Sequence, residues 1–337
     1  MEFKKILVTG GAGFIGSHFI RHVLNMRPAT QVTNLDALTY AGNLENLRDV
    51  QSNPRYKFVK GDITDTKSAA QTAEGFDAIV NFAAESHVDR SILGPEAFIQ
   101  ANIVGTHRLL EVARKLKIKR FLQVSTDEVY GSLGDSGSFT ENTPLAPNSP
   151  YSASKASADL LVRAYNHTFN LDTVITRCSN NYGTFQFPEK LIPLMIFNAR
   201  SNKDLPVYGD GLNIRDWIHV EDHCAAVLEV LEKGKSGEVY NVGSDNEWSN
   251  IQIVKSILKE LGKPESLIKF VKDRPGHDRR YSIDSSKIQS ELKWAPKITF
   301  ADGMKRTISW YLDNTKWLQN LQSGSYQKYY EQQYVNR

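Results

Sequence analysis

Cysteine is scarce: Cys178 and Cys224 are the two thiols in 337 residues. That is too few for a disulfide framework and points to a reducing, cytoplasmic compartment. Charge of one sign is missing too. Lys and Arg number 41 against 38 Asp and Glu, a formal net charge of +3, and the signs are interspersed, which argues against a nucleic-acid partner. No apolar run approaches the roughly 18 residues of a membrane span. The start, Met1-Glu2-Phe3-Lys4-Lys5, passes into Ile6-Leu7-Val8 without a signal-peptide apolar region, so a chain neither exported nor membrane-spanning is expected. Repeats and low-complexity tracts are absent. What is present is ordinary: 40% hydrophobic and 23% charged residues, in a chain long enough for about two domains.

Six short apolar runs, Lys5–Thr9, Gln31–Leu35, Tyr56–Lys60, Ala78–Phe82, Arg120–Val124 and Thr173–Thr176, alternate with segments of helical period. The latter lie near Ile15–Met26, Thr66–Glu74, Glu96–Leu116 and Pro150–Thr168. Such alternation predicts an α/β fold, a Rossmann-type doubly wound parallel sheet over residues 1–182, completed by part of 219–244. Beyond Tyr182 the pattern loosens: prolines, a Gly209-Asp210-Gly211 turn, and helical period at Val220–Glu232 and Ile251–Leu261 predict a smaller mixed lobe over 183–337. Gly131–Pro147 reads as a long surface loop and a candidate lid. The Gln- and Tyr-rich tail Gln322–Arg337 reads as a frayed or docked terminus.

Gly11, Gly13 and Gly16 satisfy G-x-G-x-x-G directly after the first strand, in the run from Gly10 through Phe14 and Ile15 to Gly16. Glycine lets the backbone turn tightly and approach a pyrophosphate, whose charge the following helix N-terminus attracts. Asp36, some 20 residues on, ends the second strand. A carboxylate there accepts both adenosine ribose hydroxyls and repels a 2′-phosphate, favouring NAD over NADP. Asp62-Ile63 and Phe82-Ala83-Ala84 fall at the next two strand ends, where an adenine edge and the dinucleotide backbone would pass.

Tyr151 and Lys155 stand at i, i+4 on one face of a helix with Ser149 as N-cap and Pro150 at its first position. Ammonium and helix terminus should both favour the phenolate, lowering the tyrosine's pKa toward the working pH. The fifth strand runs into Thr126-Asp127-Glu128. Two adjacent carboxyls exceed the needs of alcohol oxidation, but removing water beside a new ketone needs a base for the α-proton and an acid for the departing hydroxide.

Together, the glycine motif and the Tyr151/Lys155 pair resemble the extended short-chain dehydrogenase/reductases. With Thr126-Asp127-Glu128 the chain looks like the dTDP-glucose 4,6-dehydratase family. Further similar segments are Ala83–Arg90, Arg177–Gly183, Phe187–Pro193 and Asp273–Asp278. One departure is Ala101, where similar proteins often carry threonine, so a hydroxyl contact to the cofactor would be missing.

The resemblance implies a tightly held NAD, regenerated in each cycle, with Ser86 and Asn181 joining the cofactor residues already named. Tyr151 would take the O4 proton as hydride leaves C4, with Thr126 near O4 and Lys155 holding ribose and phenolate. Glu128 would then remove the C5 proton and Asp127 protonate the leaving O6 hydroxyl before hydride returns to C6. Residues 183–337 would mainly form the sugar-nucleotide lobe. The implied substrate contacts are Ser86, Thr126, Asn180, Glu189, Lys190, Leu191, Pro206, Tyr208, Arg215, Asn250, Arg274 and His277. The two arginines are shaped to clamp a diphosphate. Thymine and uracil both remain open as the base.

No metal is expected. His219, Asp222, His223 and Cys224 read better as a strand entering a capped helix than as a ligand set. An epimerase or decarboxylase of the same fold would share the glycines, Asp36, Tyr151 and Lys155, but Asp127-Glu128 separates them, since similar epimerases usually place small residues there. A non-catalytic NAD sensor would need neither carboxyl. The family resemblance also implies a homodimer, with the helices near Glu96–Leu116 and Pro150–Leu161 forming an intersubunit four-helix bundle.

Overall fold

The computed structural model describes residues 1–321; the tail Gln322–Arg337 lies outside them. Twelve strands occur in chain order among the described residues. The first six are β1 (Lys5–Thr9), β2 (Gln31–Asp36), β3 (Tyr56–Lys60), β4 (Ala78–Asn81), β5 (Arg120–Thr126) and β6 (Thr173–Cys178). The rest are β7 (Asn180–Tyr182), β8 (Leu205–Tyr208), β9 (Ile214–His219), β10 (Val239–Val242), β11 (Glu247–Ser249) and β12 (Ile268–Val271).

Seven strands make one sheet in the order β10-β6-β5-β4-β1-β2-β3, every neighbouring pair parallel. The Rossmann-type expectation stands: the chain leaves β6, passes through the second lobe, and returns as β10 beside β6, within the 219–244 stretch expected to complete the sheet. Buried Val, Ile and Leu fill both faces, as parallel strands covered by helices require. Helices Phe14–Met26 and Val220–Lys233 cover one face; Thr66–Ala73, Thr106–Lys115 and Pro150–Phe169 cover the other.

Strand order reverses at β1, which has β2 on one side and β4 on the other, so a crevice opens at their C-terminal ends. The ligand-bearing strands run further than expected: β2 reaches Asp36, β5 Thr126 and β6 Cys178. Polar side chains at these ends hide the strand signal yet line the crevice. Elsewhere, the helix expected over Glu96–Leu116 is broken into Glu96–Phe98, a π-helical turn Ile99–Gly105, and Thr106–Lys115. Gly105 sits where a Cβ would lie 2.4 Å from Ile63, and π-turns often mark functional sites.

The second lobe has its own core around Tyr182, Ile192, Trp217, Ile253, Ile308 and Trp317. Two small sheets, β11-β9-β7 and β12-β8, belong to it. The 131–147 loop is not poised as a lid. Backbone bonds tie Leu133 to Arg280 and Phe139 to both Ser282 and Asp284, while buried Phe139 stacks on Tyr130 at 5.0 Å. None of its residues lines the main groove.

Candidate active site

A groove runs along the C-terminal edge of the sheet and is walled on its far side by the second lobe. Its floor begins at Gly10, which leaves β1 with φ +69°. A Cβ there would lie 2.6 Å from the backbone nitrogen of Ala83, and one on Gly16 2.4 Å from the Gly10 carbonyl, so neither position admits a side chain. Gly11 differs from expectation: it faces Asn34 and Ile20, where a Cβ would fall within 2.5 Å of both, and serves strand-to-helix packing. Helix Phe14–Met26 starts at Gly13 with no side-chain cap and no acidic residue in its first turn. Its N–H groups are therefore free for an anion in the groove. Across from them, Asp36 accepts N–H bonds from Ala12 at 2.9 Å and Leu38 at 2.8 Å, one on each oxygen. Burial raises its pKa and those two bonds oppose the rise. A glycine cradle, an open helix terminus and an oriented carboxylate together fit a dinucleotide.

Every cofactor residue expected from the sequence lines this groove: Gly10, Gly13, Phe14, Ile15, Gly16, Asp36, Asp62, Ile63, Phe82, Ala83, Ala84, Ser86, Tyr151, Lys155 and Asn181. Ala101 lines it as well, from the π-turn.

The reactive end is built on two caps. Ser149 and Ser152 form a capping box with Pro150 in the first turn, which aims Tyr151 and Lys155 inward, both buried. At the end of β5, the Thr126 hydroxyl accepts the Glu128 N–H at 3.3 Å and starts a 3-10 turn over Asp127–Tyr130. The tight turn lets two adjacent carboxyls reach the site.

Their surroundings then pull them apart. Asp127 is buried, its Oδ1 receives the Thr126 hydroxyl at 3.2 Å, and its Oδ2 has no hydrogen-bond partner. Burial, then the charges of Glu128 and Asp216, push its pKa well above the usual carboxylate range. The proton-bearing form of Asp127 is thus favoured. Burial also raises Glu128, but there Arg274, Arg215 and Lys190 oppose the rise. The two carboxyls thus differ in their charged neighbours, as a division into acid and base requires.

The tyrosine departs from expectation. Burial, then the Glu128 charge, lift Tyr151 well above the ordinary phenol value. Lys155 does not offset this, because its ammonium donates to the Val124 carbonyl at 2.7 Å, and burial lowers its own pKa.

Of the expected substrate contacts, Ser86, Thr126, Asn180, Glu189 and Lys190 line the groove. Leu191, Pro206, Tyr208, Arg215, Asn250, Arg274 and His277 do not. Leu191 opens helix Leu191–Arg200 directly after Lys190, and Asn250 opens helix Asn250–Glu260. Pro206 and Tyr208 lie on β8. The other three lie close together, with Arg215 and Arg274 acting by charge on both Glu128 and His277. Arg215 is buried over the Tyr281 ring at 4.1 Å and donates to the Asp278 carbonyl at 2.9 Å. Arg274 reaches Asp89 at 3.6 Å, and the Tyr208 hydroxyl donates to the same carboxylate at 2.8 Å. His277 packs edge-on against Tyr208 and meets Asp273 at 2.6 Å.

The four residues once weighed as metal ligands are spent separately. His219 caps helix Val220–Lys233, Asp222 accepts the Lys297 and Ile298 N–H groups, His223 pairs with Asn181 at 2.8 Å, and Cys224 points to Ile15. Sequence reasoning missed several lining residues, notably Tyr40 and Gln186, and gave Phe187 no role although it opens one of the similar segments. No motif marks the first two, because loops far apart in sequence bring them together.

The family model described as GDP-mannose 4,6 dehydratase matches residues 7–307. A dTDP-glucose 4,6-dehydratase of Xanthomonas campestris pv. campestris is 54% identical, with 95% of this chain and 96% of that protein covered. Another, from Shigella flexneri, is 52% identical with 99% of each covered. A Streptomyces venezuelae dTDP-glucose 4,6-dehydratase, solved with NAD bound, superposes with a TM-score of 0.93 at 52% identity, over 94% of this chain and 99% of that one. Similarity at this level over whole chains, joined to a glycine cradle and a divided carboxyl pair, places this chain in the dTDP-glucose 4,6-dehydratase family.

Proposed function

We propose that this chain converts dTDP-glucose to dTDP-4-keto-6-deoxyglucose as an NAD-dependent hydro-lyase. The observation that carries the reading is the pair Asp127 and Glu128, adjacent in sequence yet with different charged neighbours, in the groove that also holds Tyr151 and Lys155. An alcohol oxidation alone has no use for such a pair.

NAD, when bound, supplies the hydride acceptor at C4, the hydride donor at C6, and a positive charge that favours the phenolate. The chain does the rest. Tyr151 receives the O4 proton, while Thr126 positions O4 and Lys155 steadies the ribose. Carbonyl formation at C4 acidifies C5. Glu128 then takes the C5 proton, the C6–O bond breaks, and Asp127 gives its proton to the leaving oxygen, so one water departs. Arg274, Arg215 and Lys190, the cations that oppose the rise at Glu128, also supply positive charge for the diphosphate. Asn180, Glu189, Tyr208 and His277 complete the nucleotide end.

Residues 1–182 with part of 219–244 make the cofactor lobe and the remainder mainly the substrate lobe, since β10 joins the large sheet. Ile92, Leu93, Ile99 and Leu160 are exposed on the helices at Val88–Leu93 and Pro150–Phe169 and on the π-turn. This apolar face supports a homodimer through a four-helix bundle. No helix among the described residues is long and apolar enough to cross a membrane. With two free, buried thiols, the cytoplasm is the proposed compartment.

Mass spectrometry of the purified protein incubated with dTDP-glucose in deuterated water, with no cofactor added, tests the reading. Loss of one water with one solvent deuteron at C5 supports it. An unchanged mass, also with NAD supplied, refutes it; turnover of UDP-glucose instead would move the base preference to uracil.

A further inference from the structure

Two loops from different lobes meet at the groove. One, residues 37–42, follows Asp36 and turns through Leu38 at φ +53°. The other, residues 185–190, opens at Phe185 with φ +65° and leads to Glu189 and Lys190. Both line the groove. Bulky residues in the left-handed region cost energy and persist only where their surroundings hold them.

Tyr40 joins the two loops. Its ring meets Phe187 edge-on, with centroids 5.5 Å apart and planes at 88°. The Arg90 guanidinium lies over the same ring at 4.1 Å and is fastened by a 2.8 Å bond to Glu189, whose side chain is 1% exposed. Sheet lobe, substrate segment and the loop after Asp36 are thus joined through one aromatic side chain.

We propose that Tyr40 is a clasp that retains the dinucleotide, closing the cofactor loop onto the substrate segment across the groove. The inference rests on the reading of this groove as an NAD site. It answers a need of that chemistry: a cofactor reduced in one half of the cycle and reoxidised in the other must stay bound between them. Tyr40 touches Phe187 through its ring and Glu189 both through Arg90 and through a hydrogen bond from its own hydroxyl, so a nucleotide seated at Glu189 and Lys190 is expected to tighten the clasp and slow cofactor release.

The test is a release rate. Protein loaded with radiolabelled NAD is mixed with excess unlabelled NAD and sampled by rapid gel filtration, with and without dTDP. Because the clasp consists of one cation–π contact, one edge-to-face contact and a hydroxyl bond to Glu189, Tyr40→Ala is expected to release label about tenfold faster or more. Tyr40→Phe keeps both ring contacts but loses the hydroxyl bond, and is expected to fall between the parent and Tyr40→Ala. Slowing by dTDP is expected in the parent and lost in Tyr40→Ala. Phe187→Ala, which removes the partner ring, is a second route to the same acceleration if Tyr40→Ala folds poorly by circular dichroism. A parent protein that holds no NAD would overturn the reading of the groove itself. A parent that holds NAD while Tyr40→Ala and Phe187→Ala release it at the parental rate would overturn the clasp alone. Release from Tyr40→Phe as fast as from Tyr40→Ala would also overturn it, since the ring would then hold nothing.

Discussion

Replacing Asp127 by Asn isolates one step of the proposed cycle. Asparagine keeps the side-chain volume and, through its amide oxygen, the contact with the Thr126 hydroxyl at 3.2 Å, so the 3-10 turn over Asp127–Tyr130 should persist. What disappears is an acidic proton in a buried position whose second oxygen has no partner in the protein. General acids contribute about 10²–10⁴ in rate, or about 3–5 kcal/mol of barrier. The remaining hydroxyls near the site, on Thr126 and Tyr151, are much weaker acids, so a loss of about 10³ in water elimination is expected. Glu128 is untouched, so removal of the C5 proton should survive. The assay runs in deuterated water and follows two signals: mass loss in the product, and deuterium at C5 in recovered dTDP-glucose. Asp127→Asn should stall the first and permit the second, whereas Glu128→Gln should abolish both. Parental elimination in Asp127→Asn would refute the assignment of the acid. An equal loss of exchange and elimination would show that the two carboxyls do not divide the work.

The pH profile should be bell-shaped. Asp127 acts protonated, so its contribution is full below its raised pKa and falls as pH rises through it. Glu128 acts ionised, so the rate falls as pH drops through its pKa. Asp127→Asn should therefore remove the alkaline limb that belongs to the acid, and a profile unchanged in shape would contradict the assignment. Arg177 and Asp159 form a buried pair at 2.9 Å, with side chains 7% and 1% exposed. Asp159→Ala strands the guanidinium and should cost about 3–5 kcal/mol in urea unfolding; a loss below about 1 kcal/mol would show that the Tyr130 hydroxyl contact suffices. Leu160→Asp places a charge on a side chain now 57% exposed in a single chain, and light scattering should report monomer if that face is the dimer interface.

Much of the site was legible because its chemistry is local. The cofactor residues follow strand ends at spacings set by one strand-turn-helix unit, and Tyr151 with Lys155 needs only a capped helix. Asp127 and Glu128 are neighbours in the chain, so their presence was readable, but their division of labour was not. The cations that oppose the rise at Glu128 are Lys190, Arg215 and Arg274, and the acidic neighbour Asp216 that adds to the rise at Asp127 comes from β9.

Sequence by itself determined the sheet's first six strands and the residues that line the dinucleotide end, because side-chain period, capping and turn chemistry act over a few residues. Only tertiary structure decided the pairing of β10 with β6, the packing role of Gly11, the pinning of the 131–147 loop and the elevated pKa of Tyr151. Each depends on what a distant segment places against it: Asn34 against Gly11, residues 279–284 against the loop, Glu128 and a dry pocket against the phenol. Burial and long-range pairing are properties of the packed chain, and no local pattern encodes the neighbour that packing will bring.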